Sequence, residues 1–318
     1  MNALLPTLLP TLLCFSASIL PCQSDPAPQD PKPTVETPTT AKKTPSGDEL
    51  LDGMFKSFQE QGITIDAKKF TVSVQAVVNQ PQDPIEYLLI HRRGKKHEAV
   101  FRCEAKASVL NAALLMIGFE PGKNATYKEK EPAPTLEEVR AGVDPLIITP
   151  PKGKPFFMTV RFTSEDGTVR ENCVEELLFD LTTQLPLPPC DWVYLGGRMA
   201  VLYKGEPEVY MADLEGNLVS VCYLTPDNHL ATMVHERARD DQNWWTTTAL
   251  PEPGTPCEFV FHRNEPKQRA DWKKRQARIA ADDAVKRAME AAKEAAEQAK
   301  SAQKEGGGGE AEEAGGGR

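Results

Sequence analysis

His97 and Glu98 form the dipeptide with the clearest capacity for chemistry in this sequence. A zinc protease would place His-Glu-x-x-His on a helix, where two imidazoles four residues apart lie on one face. No second histidine follows at that spacing, and residues 97–103 read as a strand. His91, His97 and Cys103 could instead converge on a metal ion, because the two histidines flank one short loop. The alternatives are a histidine that contacts a ligand and a structural histidine at a turn.

The loop before this dipeptide, residues 92–96, is basic and contains one glycine. Its four cations could hold an anion, although exposed loops also carry cations for solubility alone. A tryptophan lies in a second distinctive segment, Trp-Val-Tyr-Leu-Gly at 192–196. The candidate ligand-binding residues are Gly94, Lys95, Lys96, His97, Glu98 and Trp192.

Signatures of nucleophilic or phosphate chemistry are absent from the sequence. It contains no Gly-x-Ser-x-Gly elbow and no glycine-rich phosphate loop. None of the seven cysteines forms a Cys-x-x-Cys pair, so the sequence supports no zinc ribbon, thioredoxin-type motif or iron–sulfur cluster. We therefore expect a protein that is not an enzyme and needs no cofactor. Five cysteines follow the N-terminal segment: Cys103, Cys173, Cys190, Cys222 and Cys257. We expect most of them to be buried and free, although export would permit disulfides.

The chain has 318 residues, of which 40% are hydrophobic and 26% charged, as in ordinary globular proteins. Its net charge of −9 argues against binding to nucleic acid or to polyanions in general. Residues 48–263 carry 22 Lys and Arg against 32 Asp and Glu, a net charge of −10, whereas residues 265–304 carry 11 against 7, a net charge of +4. The acidity therefore belongs to the expected globular body.

The first 24 residues are typical of a secretory signal peptide or an N-terminal anchor. Residues 3–20 are apolar and almost uncharged, and polarity rises sharply at Gln23 and Ser24. Residues 25–47 then contain six prolines and almost nothing apolar, so we expect a disordered spacer. These features predict export to the periplasm or cell envelope, with membrane contact only through the leader if it is not cleaved.

Residues 48–263 are expected to form one globular domain of the α+β class, with a mainly antiparallel sheet and a few packed helices. Two β-rich runs, 85–91 and 97–103, flank the basic loop and predict a hairpin. A second hairpin is expected at 156–163 and 168–173, around an Asp-Gly turn. Further helices are predicted at 48–61, 109–117, 135–141 and 174–181. Further strands are predicted at 70–78, 192–195, 199–203, 208–213, 218–224 and 257–262.

After residue 263 the chain becomes rich in Ala, Lys, Glu and Gln, which predicts a charged helix at 264–304. Its larger apolar residues keep no heptad, so we expect a solvated single helix rather than a coiled coil. Its first turns carry one acid, Asp271, against these cations: Lys267, Arg269, Lys273, Lys274, Arg275 and Arg278. This basic part could contact an envelope protein or an anionic surface, or form only a solvated face. Residues 305–318 are expected to be a Gly-rich disordered tail.

Five segments of the body, taken in order, resemble the YdjY-like family of bacterial exported proteins. They are 85–100 with Gly-Lys-Lys-His-Glu-Ala, 112–122 with Leu-Leu-Met-Ile-Gly-Phe-Glu-Pro-Gly, 192–196 with Trp-Val-Tyr-Leu-Gly, 210–216 with Ala-Asp-Leu-Glu-Gly, and 244–256 with Leu-Pro-Glu-Pro-Gly-Thr-Pro. The resemblance runs from Gly62 to Arg263, and Cys257 stands where the family usually has valine. Because the family has no settled activity, the resemblance implies no particular reaction.

Two functional hypotheses follow from these observations. The first is an exported, non-catalytic module that binds an unknown ligand or partner at the cell envelope, which the missing catalytic signatures and the spacer favour. The second is a metal-binding or redox protein that uses the His97-Glu98 hairpin, with His91 and Cys103 as further ligands.

Overall fold

The computed structural model describes residues 47–79, 84–163 and 166–306. The expected leader, the spacer up to residue 46, Cys14 and Cys22, and the glycine-rich tail from residue 307 lie outside the described residues. None of the helices within the described ranges combines the length and the apolar character that a membrane span requires.

The described ranges contain five α-helices and seventeen strands. The helices are α1 (Gly47–Glu60), α2 (Ala107–Met116), α3 (Leu136–Arg140), α4 (Met211–Glu215) and α5 (Lys267–Gly306). The first nine strands are β1 (Ile63–Asp66), β2 (Thr71–Val78), β3 (Tyr87–His91), β4 (Ala99–Cys103), β5 (Thr126–Glu129), β6 (Leu146–Thr149), β7 (Pro155–Thr163), β8 (Val169–Cys173) and β9 (Leu178–Asp180). The others are β10 (Leu185–Pro186), β11 (Asp191–Tyr194), β12 (Met199–Ala200), β13 (Val209–Tyr210), β14 (Asn217–Ser220), β15 (Ala231–Val234), β16 (Trp244–Thr246) and β17 (Pro256–His262).

Eight of these strands form a sheet that closes on itself. Their order is β2, β17, β7, β11, β15, β14, β3 and β4, and pairing of β4 with β2 completes the ring. β1 pairs with β2 and β8 pairs with β7, both outside the ring. Alternate strand residues such as Val72, Phe101 and Phe259 enter one buried apolar cluster, to which α2 contributes Leu110 and Leu114. Closure leaves the ring without an unpaired edge strand.

The architecture confirms the α+β class predicted from the sequence. Among the strand pairs of the described residues, two are parallel, β3 with β4 and β14 with β15, and the others are antiparallel. The helices expected at 109–117 and 135–141 correspond to α2 and α3, and the second hairpin corresponds to β7 and β8. Closure of the sheet was not predicted, because it depends on pairings between strands that are distant in the chain.

The hairpin predicted for residues 85–91 and 97–103 is wrong. β3 and β4 are neighbours, but they run parallel, with Tyr87 opposite Ala99 and His91 opposite Cys103. Residues 92–98 therefore run back along β3. Seven residues span up to about 23 Å when extended, and a five-residue strand is roughly 16 Å long, so the connection is long enough. A polar loop with a glycine is compatible with either direction, and for this reason the local pattern misled the prediction.

Four other predicted elements differ in length or in type. The strands expected at 199–203 and 218–224 end at Ala200 and Ser220. The strand expected at 208–213 ends at Tyr210, because α4 begins at Met211. α4 ends at Glu215 and is capped by Gly216, which has φ +72°. The helix expected at 174–181 is a 3₁₀ turn, Val174–Leu177, followed by β9. The last two segments are short and partly buried, so tertiary packing outweighs their weak local preference.

α5 confirms the predicted C-terminal helix, but its first turns are packed rather than solvated. Trp272 is 3% exposed, and its Nε1 donates a hydrogen bond to the carbonyl oxygen of Leu187 over 3.1 Å. Arg269 is also buried and donates a hydrogen bond to the carbonyl oxygen of Cys190 over 2.9 Å. Further along the helix, Met289 is 69% exposed. The helix is therefore anchored to the body near its start and solvated around Met289.

Candidate ligand-binding cleft

The return segment, residues 92–98, is held against the body by a glycine contact. The N–H of Gly94 donates a hydrogen bond to the carbonyl oxygen of His91 over 2.8 Å. A Cβ on Gly94 would lie 2.5 Å from the carbonyl oxygen of Gly216, closer than real side chains approach. Glycine is therefore required for this close backbone contact. The contact fixes the residues that follow, Lys95 among them, beside β3.

Lys95 lies between two carboxylates. Its Nζ is 3.4 Å from Glu86 Oε2 and 3.3 Å from Glu98 Oε2. The same ammonium lies 5.6 Å from the ring centroid of Tyr87, which adds a cation–π attraction. The other oxygen of Glu98, Oε1, lies 3.1 Å from Nε2 of His97. Glu86, Lys95, Glu98 and His97 therefore form a continuous series of polar contacts.

Three of these side chains, Glu86, His97 and Glu98, line a cleft of about 260 Å³. Asp241 and Gln242, which precede β16, also line it. Glu86, Glu98 and Asp241 bring three carboxylates to one space, against the single ammonium of Lys95. This excess of negative charge favours a ligand that carries a positive group.

Burial and the neighbouring charges both shift the pKa values of Glu86 and Lys95. Burial raises the pKa of the Glu86 carboxyl; Lys95 opposes this shift, and the nearby Glu98 adds to it. Burial acts to lower the pKa of Lys95, but the carboxylates of Glu86 and Glu98 outweigh it and raise that pKa above its usual value. Lys95 is therefore protonated at neutral pH, and Glu86 takes up a proton more readily than an exposed glutamate does.

Of the six candidate ligand-binding residues, His97 and Glu98 are among the described residues that line the cleft, whereas Gly94, Lys95, Lys96 and Trp192 are not. Lys96 is exposed, and its carbonyl oxygen accepts a hydrogen bond from Nδ2 of Asn79 over 2.5 Å. Trp192 is fully buried in the core, where its Nε1 donates a hydrogen bond to Glu175 Oε1 over 3.1 Å. Neither side chain is among the described residues that line the cleft.

The three residues considered for a metal site occupy different environments. His91 is buried, which lowers its pKa, and its Nδ1 accepts a hydrogen bond from the N–H of Arg93 over 3.3 Å. Burial raises the pKa of the Cys103 thiol to about 12. His97 instead lies on the exposed Lys96–Glu98 turn, with 74% of its side chain accessible. Within the part of the chain that the structure describes, no group of three or more His, Cys, Asp or Glu side chains is arranged to hold a metal ion.

A known protein family matches the segment of the chain that contains both the closed sheet and the cleft. The YdjY domain matches residues 63–262, which is more than half of the chain. The chain belongs to the YdjY family. Its YdjY domain begins with β1 and ends with β17, so it includes every residue that lines the cleft, whereas α1 and α5 lie outside it. No curated protein and no solved structure matches the chain.

Asp241 and Glu86 line the YdjY-domain cleft but were not among the residues predicted from the sequence to bind a ligand. Asp240 and Asp241 are adjacent acids, which are usual on a solvated face. The N–H of Ile85 donates a hydrogen bond to the carbonyl oxygen of Trp244 over 2.9 Å, and this contact brings the segment before β16 next to Glu86. Of the side chains in the series of polar contacts at the cleft, the sequence indicated only Lys95, His97 and Glu98, which lie within four consecutive residues. No local pattern connects them to residue 241.

Proposed function

We propose that this YdjY-family chain is an exported, non-catalytic module that binds a positively charged group of a ligand or partner. The proposed site is the acidic cleft lined by Glu86, Glu98, Asp241 and His97, where Lys95 forms ion pairs with Glu86 and Glu98. The net charge of −10 on residues 48–263 supports attraction of a cationic partner. The apolar leader pattern and the proline-rich segment support export.

The position of the Lys95 ammonium carries this proposal. It lies 3.4 Å from Glu86 Oε2, 3.3 Å from Glu98 Oε2 and 5.6 Å from the Tyr87 ring centroid. Carboxylates and an aromatic face are the groups that bind alkylammonium and guanidinium ions in proteins. Asp241 adds a third carboxylate to the adjoining space of about 260 Å³. A primary amine or guanidinium therefore suits this space as the counterion of Glu98 and Asp241.

The protonation of Lys95 and of two buried cysteines supports binding rather than covalent catalysis. A catalytic lysine needs a lowered pKa, whereas the carboxylates beside Lys95 raise its pKa despite burial. A catalytic cysteine acts as a thiolate, whereas burial raises the pKa of Cys103 and of Cys257 to about 12. These groups therefore hold their protons at neutral pH.

Calorimetric titration of the full chain with Nα-acetyl-lysine amide at low salt tests the site. We expect Glu98→Gln and Asp241→Asn each to weaken binding by about tenfold or more, because each removes one charged acceptor. Glu137→Gln changes an exposed carboxylate of α3 and serves as the matched control. Urea unfolding of each variant checks that it folds. Equal affinity of the wild type and both cleft variants would contradict the proposed site.

Cell fractionation tests export independently of the cleft. The full chain is expected in the periplasmic or envelope fraction, and a chain that lacks residues 1–24 is expected in the cytosol, because the apolar leader pattern would direct export. Identical fractionation of the two chains would contradict export and leave the binding proposal in place.

The basic part of α5 is proposed as the contact for an envelope protein or an anionic surface. Arg269 and Arg275 form ion pairs with Asp191 and Glu176 of the body, so they are less available to a partner. The test therefore replaces exposed cations by glutamine in one variant: Lys267, Lys274 and Arg278. Unchanged association with the envelope fraction would contradict this contact.

The alternative of a metal or redox site at His97-Glu98, with His91 and Cys103, stays a prediction. The contact of 3.1 Å between His97 Nε2 and Glu98 Oε1 places two donor groups side by side. Elemental analysis of the tag-free protein decides it. Less than about a tenth of an equivalent of any transition metal, unaffected by His97→Ala, would end this alternative, because a real site needs several ligands placed together.

A further inference from the structure

A second pocket, lined by other residues than the acidic cleft, lies at one end of the closed sheet. Its volume is about 110 Å³. It is bordered by the turn after α2, the start of β7, the end of β11 and the residue after β17. The residues that matter for its chemistry are Phe119, Glu120, Lys154, Phe156, Tyr194 and Arg263.

Three buried aromatic rings form the apolar wall of this pocket. The ring centroid of Phe119 lies 5.2 Å from that of Phe156 and 5.6 Å from that of Tyr194. All three side chains are buried, so the close packing of the core holds the rings in place. The Tyr194 hydroxyl donates a hydrogen bond to Asn111 Oδ1. The wall therefore offers apolar contact and no charge.

The mouth of the pocket carries an unbalanced positive charge. Lys154 forms an ion pair with Glu120, and this contact, with a smaller contribution from the charge of Arg263, lowers the pKa of the Glu120 carboxyl. Arg263 Nη1 donates a hydrogen bond to the carbonyl oxygen of Ile117 over 3.3 Å, and its guanidinium lies 5.2 Å from the ring centroid of Phe70. Among the side chains that the structure describes, no carboxylate forms an ion pair with Arg263 within 4.0 Å. Once Lys154 and Glu120 neutralise each other, one positive charge is left at the mouth.

The absence of a side chain at Gly118 leaves room for the Arg263 guanidinium. It has φ +84°, a conformation that side chains other than glycine rarely adopt. A Cβ at this position would lie 2.9 Å from Arg263 Nη1. The guanidinium is thus held by the carbonyl oxygen of Ile117 and fits beside Gly118 because no side chain stands there. Since no described carboxylate forms an ion pair with it, its charge is available to an anion.

We propose that this pocket binds a small carboxylate with a short apolar body. The carboxylate would pair with Arg263, whose planar guanidinium matches two carboxylate oxygens. The apolar body would lie against Phe119, Phe156 and Tyr194. An apolar cavity of about 150 Å³ holds benzene, so the pocket of about 110 Å³ suits a smaller body. One net positive charge at the mouth also matches a monoanion better than a phosphate dianion.

Titration of the full chain with butyrate, followed by amide NMR shifts, tests the pocket. Butyramide is the neutral isostere, and inorganic phosphate tests for a general anion site. We expect saturable shifts around Phe119 with butyrate, and binding of butyramide and phosphate at least about tenfold weaker. Arg263→Gln should weaken butyrate binding about tenfold or more, whereas Arg140→Gln, an exposed arginine of α3, should not change it.

Three results would overturn the proposal: equal binding of butyrate and butyramide, tighter binding of phosphate, or no saturable shift up to about 50 mM. Should Arg263→Gln fail to fold, Arg263→Lys keeps the charge but loses the planar pair of donors, and intermediate affinity is expected. Unchanged affinity of that lysine variant would overturn the role given to the guanidinium. Glu98→Gln should leave butyrate binding unchanged, so failure here is distinguishable from failure of the acidic cleft.

Discussion

Trp192 donates a hydrogen bond from its indole Nε1 to Glu175 Oε1 over 3.1 Å, and both side chains are at most 1% exposed. Burial raises the pKa of the Glu175 carboxyl to about 7, although the charge of Arg269 and the indole hydrogen bond act against the shift. A tryptophan that the sequence offered as a ligand contact is thus the partner of a buried carboxyl. Because this pKa lies near neutral pH, the protonation of a buried carboxyl in the YdjY domain should change with the pH of the solution.

Glu175→Gln should change how stability depends on pH. The folded-state pKa of about 7 lies above the ordinary value of 4.5, so the folded protein binds the proton more tightly than the unfolded chain does. The wild type should therefore lose roughly 3 kcal/mol of unfolding free energy from this group as the pH rises through that window. The glutamine variant should not show this loss. Urea unfolding at pH 5 and pH 8 measures the difference, and parallel pH profiles would contradict it.

Gly94→Ala should destabilise the protein and disturb the cleft. The new Cβ would lie 2.5 Å from the carbonyl oxygen of Gly216, so the backbone must shift, at a cost of more than about 1 kcal/mol. Gly53→Ala is the matched control, since no atom lies within 4 Å of its added Cβ, and it should stabilise α1 by about 0.5–1 kcal/mol. Urea unfolding compares the two. A Gly94→Ala protein as stable as the wild type would show that the return segment is not held against Gly216.

Trp272→Ala should release the first turns of α5 from the body. The change removes a buried ring and its hydrogen bond to the carbonyl oxygen of Leu187, a loss of about 3–5 kcal/mol of packing at this contact. Limited proteolysis should therefore cut the chain faster near the start of α5. Met289→Ala alters an exposed residue of the same helix and should leave the cleavage rate unchanged. Equal cleavage of the wild type and Trp272→Ala would show that Trp272 does not anchor the helix.

The cysteines after residue 100 should be unreactive in the folded protein. All five are buried and free, whereas the sequence led us to expect this of most of them: Cys103, Cys173, Cys190, Cys222 and Cys257. Burial raises the pKa of Cys103 and Cys257 to about 12, so roughly one such thiol in ten thousand is ionised at pH 8. A Cys14→Ser, Cys22→Ser chain should react with a disulfide reagent only after addition of urea, and then at five thiols. Fast reaction in the absence of urea would contradict their burial.

Local sequence patterns were sufficient to predict those helices and hairpins whose ends are set by residues close by in the chain. The apolar run at 109–117 followed by Gly118 predicted α2, and the Asp-Gly turn predicted the β7–β8 hairpin. A capping box with Thr135 and Glu138 begins α3. Each of these signals acts over a few residues, so it can be recognised without the rest of the fold.

The cleft shows where local patterns were insufficient. Lys95, His97 and Glu98 are contiguous and were recognised as candidates, whereas Asp241 joins them only through the packing of the segment before β16. The same loop composition is compatible with antiparallel or parallel strands, and the structure has β3 and β4 parallel. Strand direction here depends on β14, which lies far away in the chain and pairs with β3, and on β2, which pairs with β4 rather than with the next strand in the chain, β3.

The sequence by itself determined the α+β class, the family, the C-terminal helix and the residues that could do chemistry, because periodicity, turn residues and motifs are properties of short segments. Only the tertiary structure decided that the sheet closes, that Trp192 is buried against Glu175 rather than exposed to a ligand, and that α5 is anchored through Trp272. The physical reason is that burial and strand order arise from contacts between distant segments. Those contacts exist only once the whole core is assembled.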